Sequence, residues 1–308
     1  MLRATLIQLS RSSTANRWVV RLPPARSVAH RFVPGETLAE AMAEVARLNR
    51  RGALVTLDHL GENVTSPDEA DAAAQKYIAA LEEIAVRDLG STISVKLTQL
   101  GLATDPELCW DRVARIVETA GDLGNLVEID MEESRHTEAT LDIYYGLRST
   151  FENVRVCLQA YLYRTVGDLE RLWSQGGNIR LCKGAYREAP AIAFPRKQDV
   201  DRAFMRAMDQ IFSRQAQSTG TYLAIATHDE RLISWATAES ETRGIPKEAF
   251  EFQMLYGIRT ELQRALRDRG FTVRIYLPFG TQWYPYFMRR IAERPANLIL
   301  VLRNLLRR

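Results

Sequence analysis

The chain has 308 residues, 46% of them hydrophobic and 26% charged, and 41 basic against 38 acidic side chains leave a formal net charge of +3. These proportions exclude a disordered, collagen-like or disulfide-stapled chain, and so small a positive excess gives no ground for nucleic-acid binding. No apolar stretch approaches the roughly 20 residues of a membrane span.

The first 35 residues contain no Asp or Glu but carry Arg3, Arg11, Arg17, Arg21, Arg26 and Arg31. Residues 1–35 are therefore predicted to form a basic N-terminal helical arm, with a single catalytic unit over 36–308. An Arg- and Ser-rich start suits a transit peptide, an arm on an anionic membrane surface, or a helix whose arginines face water. Arg303, Arg307 and Arg308, beside Leu298, Ile299, Leu300 and Leu305, repeat the theme at the other end.

From residue 36 one rhythm repeats. Apolar runs at 53–57, 93–97, 127–129, 154–158, 179–182, 223–226, 250–255 and 273–277 are predicted as strands. The segments between them are longer, amphipathic and carry helix-start signals. Ser66-Pro67-Asp68-Glu69 offers a capping Ser, a first-turn Pro and a Glu three residues after the cap, and Thr104-Asp105-Pro106-Glu107 has the same form. Helices are predicted to end near Gly90, Gly121, Gly176 and Gly270, where a left-handed residue can terminate them. Strands alternating with helices imply a parallel sheet. Eight of them favour an α/β fold closed as a (β/α)8 barrel, with its chemistry at the C-terminal strand ends and apolar layers filling its interior. The competing Rossmann layout lacks a G-x-G-x-x-G after any strand.

The strand ends are unusually polar: Asp58-His59, Lys96-Leu97-Thr98-Gln99, Asp130-Met131-Glu132, Gln159, Arg180 with Lys183-Gly184-Ala185-Tyr186, Thr227-His228-Asp229, Gln253 and Tyr276. Charges flanked by apolar residues, as at Lys96, Asp130 and Arg180, need partners or a ligand, because leaving them unpaired costs several kcal/mol each. Each has a structural alternative: Asp58 or Asp130 as a helix cap, Arg180 and Lys183 in rim ion pairs, His228 as a hydrogen-bonded scaffold residue. Their convergence on one axial pocket favours a functional site. Cys109, Cys157 and Cys182 cannot all pair and form no C-x-x-C motif, so they are predicted as small buried thiols of a reduced, cytoplasmic protein. The four histidines form no metal-ligand spacing, and neither a G-x-S-x-G elbow nor a Walker motif is present. Beyond the last strand, Pro285 suits a helix first turn, and Arg289 and Arg290 lie within a turn of Glu293. Paired guanidiniums suit a bidentate carboxylate, and equally an exposed patch with an ordinary ion pair.

Together these segments resemble the monofunctional proline dehydrogenase family from about Phe32 to about Asn304. The likeness rests on Thr56-Leu57-Asp58-His59, Ser94-Val95-Lys96-Leu97-Thr98, Ile129-Asp130-Met131-Glu132, Gln159-Ala160-Tyr161 and Arg180-Leu181-Cys182-Lys183-Gly184-Ala185-Tyr186. It continues through Thr227-His228-Asp229, Glu251-Phe252-Gln253-Met254-Leu255-Tyr256-Gly257 and Tyr284-Pro285-Tyr286-Phe287-Met288-Arg289-Arg290. The resemblance implies a distorted barrel holding non-covalent FAD, with the last helix over the active site. It implies oxidation of L-proline to Δ1-pyrroline-5-carboxylate, the first step of proline catabolism, by hydride transfer from proline C5 to flavin N5. Lys96, Arg289 and Arg290 would hold the proline carboxylate, with Glu293 positioning the arginines. Tyr186, Leu255 and Tyr276 would enclose the ring, Tyr276 standing where 4-hydroxyproline-specific relatives have a smaller residue. Arg180 would sit against flavin N5 with Asp130 in the supporting network, and Met131, Gln159, Lys183, Gly184, Ala185, Thr227 and His228 would contact the rest of the FAD. Electrons would pass to a membrane quinone, giving the basic ends a purpose in peripheral contact with the inner face of the cell membrane. The aldehyde dehydrogenase half of bifunctional relatives is absent, so a separate pyrroline-5-carboxylate dehydrogenase would take the product. Two other readings remain open on the residues alone. One is a Schiff-base aldolase or lyase using Lys96 or Lys183, and the other a non-catalytic protein binding nucleic acid or lipid through its basic ends.

Overall fold

The computed structural model describes residues 29–61 and 64–293, with side chains described as far as 290. The arginines of residues 1–28, the basic C-terminal cluster and the Glu293 side chain lie outside the described residues.

Eight parallel strands close into one barrel in sequence order, β8 returning to β1. The chain enters through α1 (Leu38–Asn49), then β1 (Leu54–His59), α2 (Pro67–Val86), β2 (Ser91–Val95), α3 (Pro106–Asp122), β3 (Val127–Ile129) and α4 (Thr137–Arg148). It continues through β4 (Val154–Gln159), α5 (Thr165–Trp173), β5 (Asn178–Cys182), α6 (Lys197–Ile211), α7 (Arg214–Ser218) and β6 (Tyr222–Ala226). The last units are α8 (Glu230–Arg243), β7 (Phe250–Leu255), α9 (Thr260–Asp268), β8 (Val273–Phe279) and α10 (Trp283–Glu293). Each predicted strand is present within two residues at either end.

The helix boundaries follow the capping chemistry with two corrections. Ser66 accepts from the Glu69 amide and Pro67 opens α2 as expected, but α3 is capped by Asp105, which accepts from the Leu108 amide, rather than by Thr104. Its carboxylate reaches the free N–H two positions past Pro106, while the Thr104 hydroxyl donates to the Gly101 carbonyl. Gly121 lies inside α3, and Gly124 supplies the left-handed residue after it. At the end of α2 that conformation falls on Asp88, not Gly90.

The expectation of apolar layers inside the barrel is overturned. Strand side chains alternate, so one parity faces the axis and the other faces the helices. The outward parity is apolar: Val55, Leu57, Ile93, Val95, Ile129, Val156, Leu158, Ile179, Leu181, Phe252 and Ile275 are buried in the main core, against the helices. Each such burial contributes about 1.5–3 kcal/mol. The inward parity carries Thr56, Asp58, Ser94, Lys96, Glu128, Asp130, Arg155, Arg180, Glu251, Gln253 and Arg274; all but Thr56, whose hydroxyl has no hydrogen bond among the described residues, bond to one another or face the cavity. Helices on the outside can cover only apolar strand surface cheaply, so the polar parity is left to the axis. A second apolar cluster joins Ala29, Phe32, Val33, Leu60 and Ile258 to Trp283, Tyr284, Tyr286, Phe287 and Met288 of α10. It anchors α10 across the C-terminal mouth. Gly257, at φ +71°, lets the Arg31 backbone carbonyl pass against β7's exit, where any Cβ would collide with it.

Candidate active site

The barrel axis is built in tiers. At its floor, Glu128 and Glu251 meet Arg155, Arg274 and Arg180. Arg155 Nη1 donates to Glu128 Oε2 at 3.0 Å and to Glu251 Oε1 at 2.7 Å. Arg274 Nε lies 2.9 Å from Glu251 Oε1, and Arg180 Nη2 lies 2.8 Å from Glu128 Oε2. Burial pushes both glutamates toward the neutral acid, and the surrounding guanidiniums reverse it, holding both below the usual carboxylate range.

One tier up stand Asp58, Lys96, Asp130 and Tyr276. Lys96 Nζ donates to Asp58 Oδ1 at 2.6 Å, Asp130 Oδ2 at 3.0 Å and the Tyr276 hydroxyl at 3.1 Å. An ammonium has three protons, and all three are directed to these partners. Burial alone would lower the Lys96 pKa, but Asp58, Tyr276 and Asp130 raise it well above the ordinary lysine value, so the nitrogen stays protonated. The Tyr276 hydroxyl donates in turn to Asp130 Oδ2 at 2.7 Å. Asp130 Oδ1 accepts from Arg180 Nη1 at 2.5 Å and from Ser94 Oγ at 2.7 Å. Burial raises the Asp130 carboxyl, and Lys96 and Arg180 outweigh it, leaving it low. Asp58 is raised, because burial exceeds the pull of Lys96. Neither aspartate caps a helix; Asp58 is a buried ion-pair partner and Asp130 a half-buried one. With the floor, the axis holds four carboxylates and four cations, which leaves the buried charge balanced.

Above this lies a cavity of about 1270 Å3 at the C-terminal ends of the strands. Its wall includes every site residue expected from the sequence except Glu293, whose side chain is not described. Lys96, Asp130, Arg180 and Tyr276 form its base. Met131, Gln159, Lys183, Gly184, Ala185, Thr227 and His228 line one side, and Tyr186, Leu255, Arg289 and Arg290 the mouth. Arg290 is buried and its guanidinium stacks over the Tyr286 ring at 5.1 Å.

Several of these side chains also build the wall. Gln159 Nε2 donates to the Glu132 carbonyl at 2.9 Å, and its Oε1 accepts from the Ala185 amide at 3.2 Å, tying the β3, β4 and β5 exits together. His228 Nε2 accepts from the Leu255 amide at 3.2 Å. Lys183 Nζ lies 2.5 Å from Asp201 and 2.8 Å from Asp229. Gly184 has φ +116°, and a Cβ there would enter the Tyr161 ring, so the glycine is required by that ring.

Sequence reasoning missed the floor residues Glu128, Arg155 and Arg274, and assigned no role to Glu251 or Ser94, which stand in its family motifs. Their signal was the two-residue spacing of polar side chains within apolar strands, as in Glu128/Asp130 and Arg274/Tyr276. Arg259 also lines the cavity, from a left-handed conformation (φ 52°) and paired with Glu230; its sequence neighbourhood announces neither.

The model of the family described as proline dehydrogenase matches residues 41–301. The chain is 41% identical over 308 residues to Proline dehydrogenase 1 of Bacillus subtilis (strain 168), covering all of both chains. It is 39% identical over 286 residues to Proline dehydrogenase of Deinococcus radiodurans, covering 91% of each. Among solved structures, proline utilization A from Bdellovibrio bacteriovorus, inactivated by N-propargylglycine, superposes with a TM-score of 0.81 at 24% identity over 87% of this chain. That from Corynebacterium freiburgense gives 0.75 at 22% over 98%. The chain spans about a third of the length of these two solved chains (33% and 34%), and the likeness to them concerns the barrel fold.

Proposed function

The chain belongs to the proline dehydrogenase family of oxidoreductases, and we propose that it oxidises L-proline to Δ1-pyrroline-5-carboxylate in the cavity at the barrel mouth, with non-covalent FAD as hydride acceptor. The observation that carries this reading is the meeting of Lys96, Asp130, Arg180 and Tyr276 in one buried cluster, with Arg289 and Arg290 of α10 on the same cavity.

The cavity residues fit a flavin dinucleotide. The volume of about 1270 Å3 exceeds the roughly 300–1,000 Å3 of a single small-ligand pocket, and Arg180 Nε, buried in its wall, has no hydrogen bond among the described residues. An acceptor on the cofactor would satisfy it. Met131, Gln159, Lys183, Gly184, Ala185, Thr227 and His228 would hold the rest of the group. When bound, FAD supplies the acceptor for the hydride leaving proline C5.

The chain's own work is orientation. Arg289 and Arg290 bind the substrate carboxylate by charge-assisted hydrogen bonds worth roughly 1.5–3 kcal/mol each. Lys96 joins them by releasing the Tyr276 hydroxyl, the longest of its three contacts at 3.1 Å. Tyr186, Leu255 and Tyr276 enclose the ring and exclude water, so that reaction begins from one fixed geometry. Asp130 keeps Arg180, Lys96 and Tyr276 in register. A membrane quinone would take up the electrons, and a pyrroline-5-carboxylate dehydrogenase would consume the product. The Schiff-base alternative is disfavoured because Lys96 is held as an ammonium and Lys183 is pinned between two aspartates.

The test is the visible spectrum of the purified protein, followed by anaerobic addition of L-proline. A flavin spectrum that bleaches supports the proposal; a colourless protein, or a flavin unaffected by proline, refutes it.

A further inference from the structure

Cys157 and Cys182 sit on neighbouring strands, in a register that pairs Cys157 with Arg180 and Gln159 with Cys182. Both point to the axis and both line the cavity. Their sulfurs are 3.7 Å apart, the Cys157 thiol donating to the Cys182 sulfur. That hydrogen bond holds the Cys182 thiol below its ordinary range despite burial.

The separation is informative. A disulfide needs about 2.05 Å between sulfurs. Two sulfurs bonded to one shared atom at about 2.3 Å each stand about 3.4 Å apart at the roughly 95° angle of a pyramidal three-coordinate centre and about 3.8 Å apart at the tetrahedral angle. The pair is therefore preset for a bridging thiophilic atom with no strand movement. No group of three or more His, Cys, Asp or Glu able to hold a metal ion occurs among the described residues. The site thus suits a three-coordinate centre that keeps one substituent of its own, directed into the open cavity, over a four-coordinate zinc ion. Cys109 is different: it is wholly buried on α3, and its thiol donates to the Leu97 carbonyl at 3.5 Å.

We propose that Cys157 and Cys182 form a bidentate capture site for trivalent arsenicals. With an organoarsenic oxide, two As–S bonds form and the As=O bond breaks. The oxygen leaves as water with the two thiol protons, and no oxidation state changes. The strand register puts such an adduct beside Arg180 and Gln159. This inference does not depend on the reaction proposed above.

Phenylarsine oxide, added equimolar to the purified full-length protein, provides the test by intact mass and thiol titration after unfolding. We expect one phenylarsenic per chain and a fall from three titratable thiols to one, resistant to excess glutathione and reversed by dimercaptopropanol. Cys157→Ser and Cys182→Ser each lose the glutathione-resistant adduct, and Cys109→Ser keeps it. Alanine at each of the two positions repeats the comparison should a serine variant misfold. Three titratable thiols after treatment, or a resistant adduct surviving in any single Cys157 or Cys182 variant, overturns the proposal.

Discussion

Glu251→Ala tests whether the charged barrel floor is held by mutual neutralisation. Glu251 is 1% exposed and accepts from Arg155 at 2.7 Å, Arg274 at 2.9 Å and Gln253 at 2.8 Å. Removing it converts a balanced axis into one with an uncompensated buried cation shared by two guanidiniums. Breaking a buried pair from one side costs about 3–5 kcal/mol, a large part of the 5–15 kcal/mol that holds a typical domain together. In urea, with a slope near 3 kcal/mol/M, the midpoint falls by about 1 M or more. Adding Arg274→Met to Glu251→Ala recovers at least about 1 kcal/mol relative to the sum of the single changes, because the stranded cation is removed. Since the guanidiniums hold Glu251 ionised below its ordinary range, its contribution is present above the ordinary glutamate pKa and disappears as the pH falls through the lower folded value. The gap between the parent and Glu251→Gln should therefore narrow in acid. A loss below about 1 kcal/mol for Glu251→Ala at neutral pH would refute the reasoning.

A pH effect of separate origin comes from His59. Burial, with smaller contributions from Lys76 and Lys96, pushes its pKa from 6.5 to about 4, and its Nδ1 lies 3.0 Å from the Gln99 amide nitrogen. Its stabilisation is complete above pH 6.5, and about 3 kcal/mol is lost as the pH falls to 4; thermal melts should show His59→Gln flattening that window, and equal slopes would contradict the assignment. At the mouth, Arg289→Ala is expected to raise the KM for proline tenfold or more while flavin absorbance per chain is unchanged. Steady-state kinetics showing the parental KM would remove this arginine from the carboxylate site.

Much of the site was legible because charged side chains at strand ends interrupt apolar runs: Asp130 after 127–129, Arg180 within 179–182 and Lys96 at the end of the second strand all stand out in one dimension. Lys96 also shows the limit. Its sequence context marks a charge needing a partner, but only folding brings Asp58, Asp130 and Tyr276, from three other strands, onto its three protons. Gly184 similarly reads as room for an anionic ligand until the Tyr161 ring is seen against it.

By itself the sequence determined the number and order of strands and most helix starts, since hydrophobic periodicity and capping are local properties, and its family resemblance pointed to most of the residues at the cavity. Which strand face lies inside was a tertiary decision. The polar parity of β1 to β8 could face solvent or the axis, and closure of the barrel beneath an outer helical layer turned it inward. The same closure set Cys157 against Cys182 and balanced four cations with four carboxylates, because distances between strands exist only once the register is fixed.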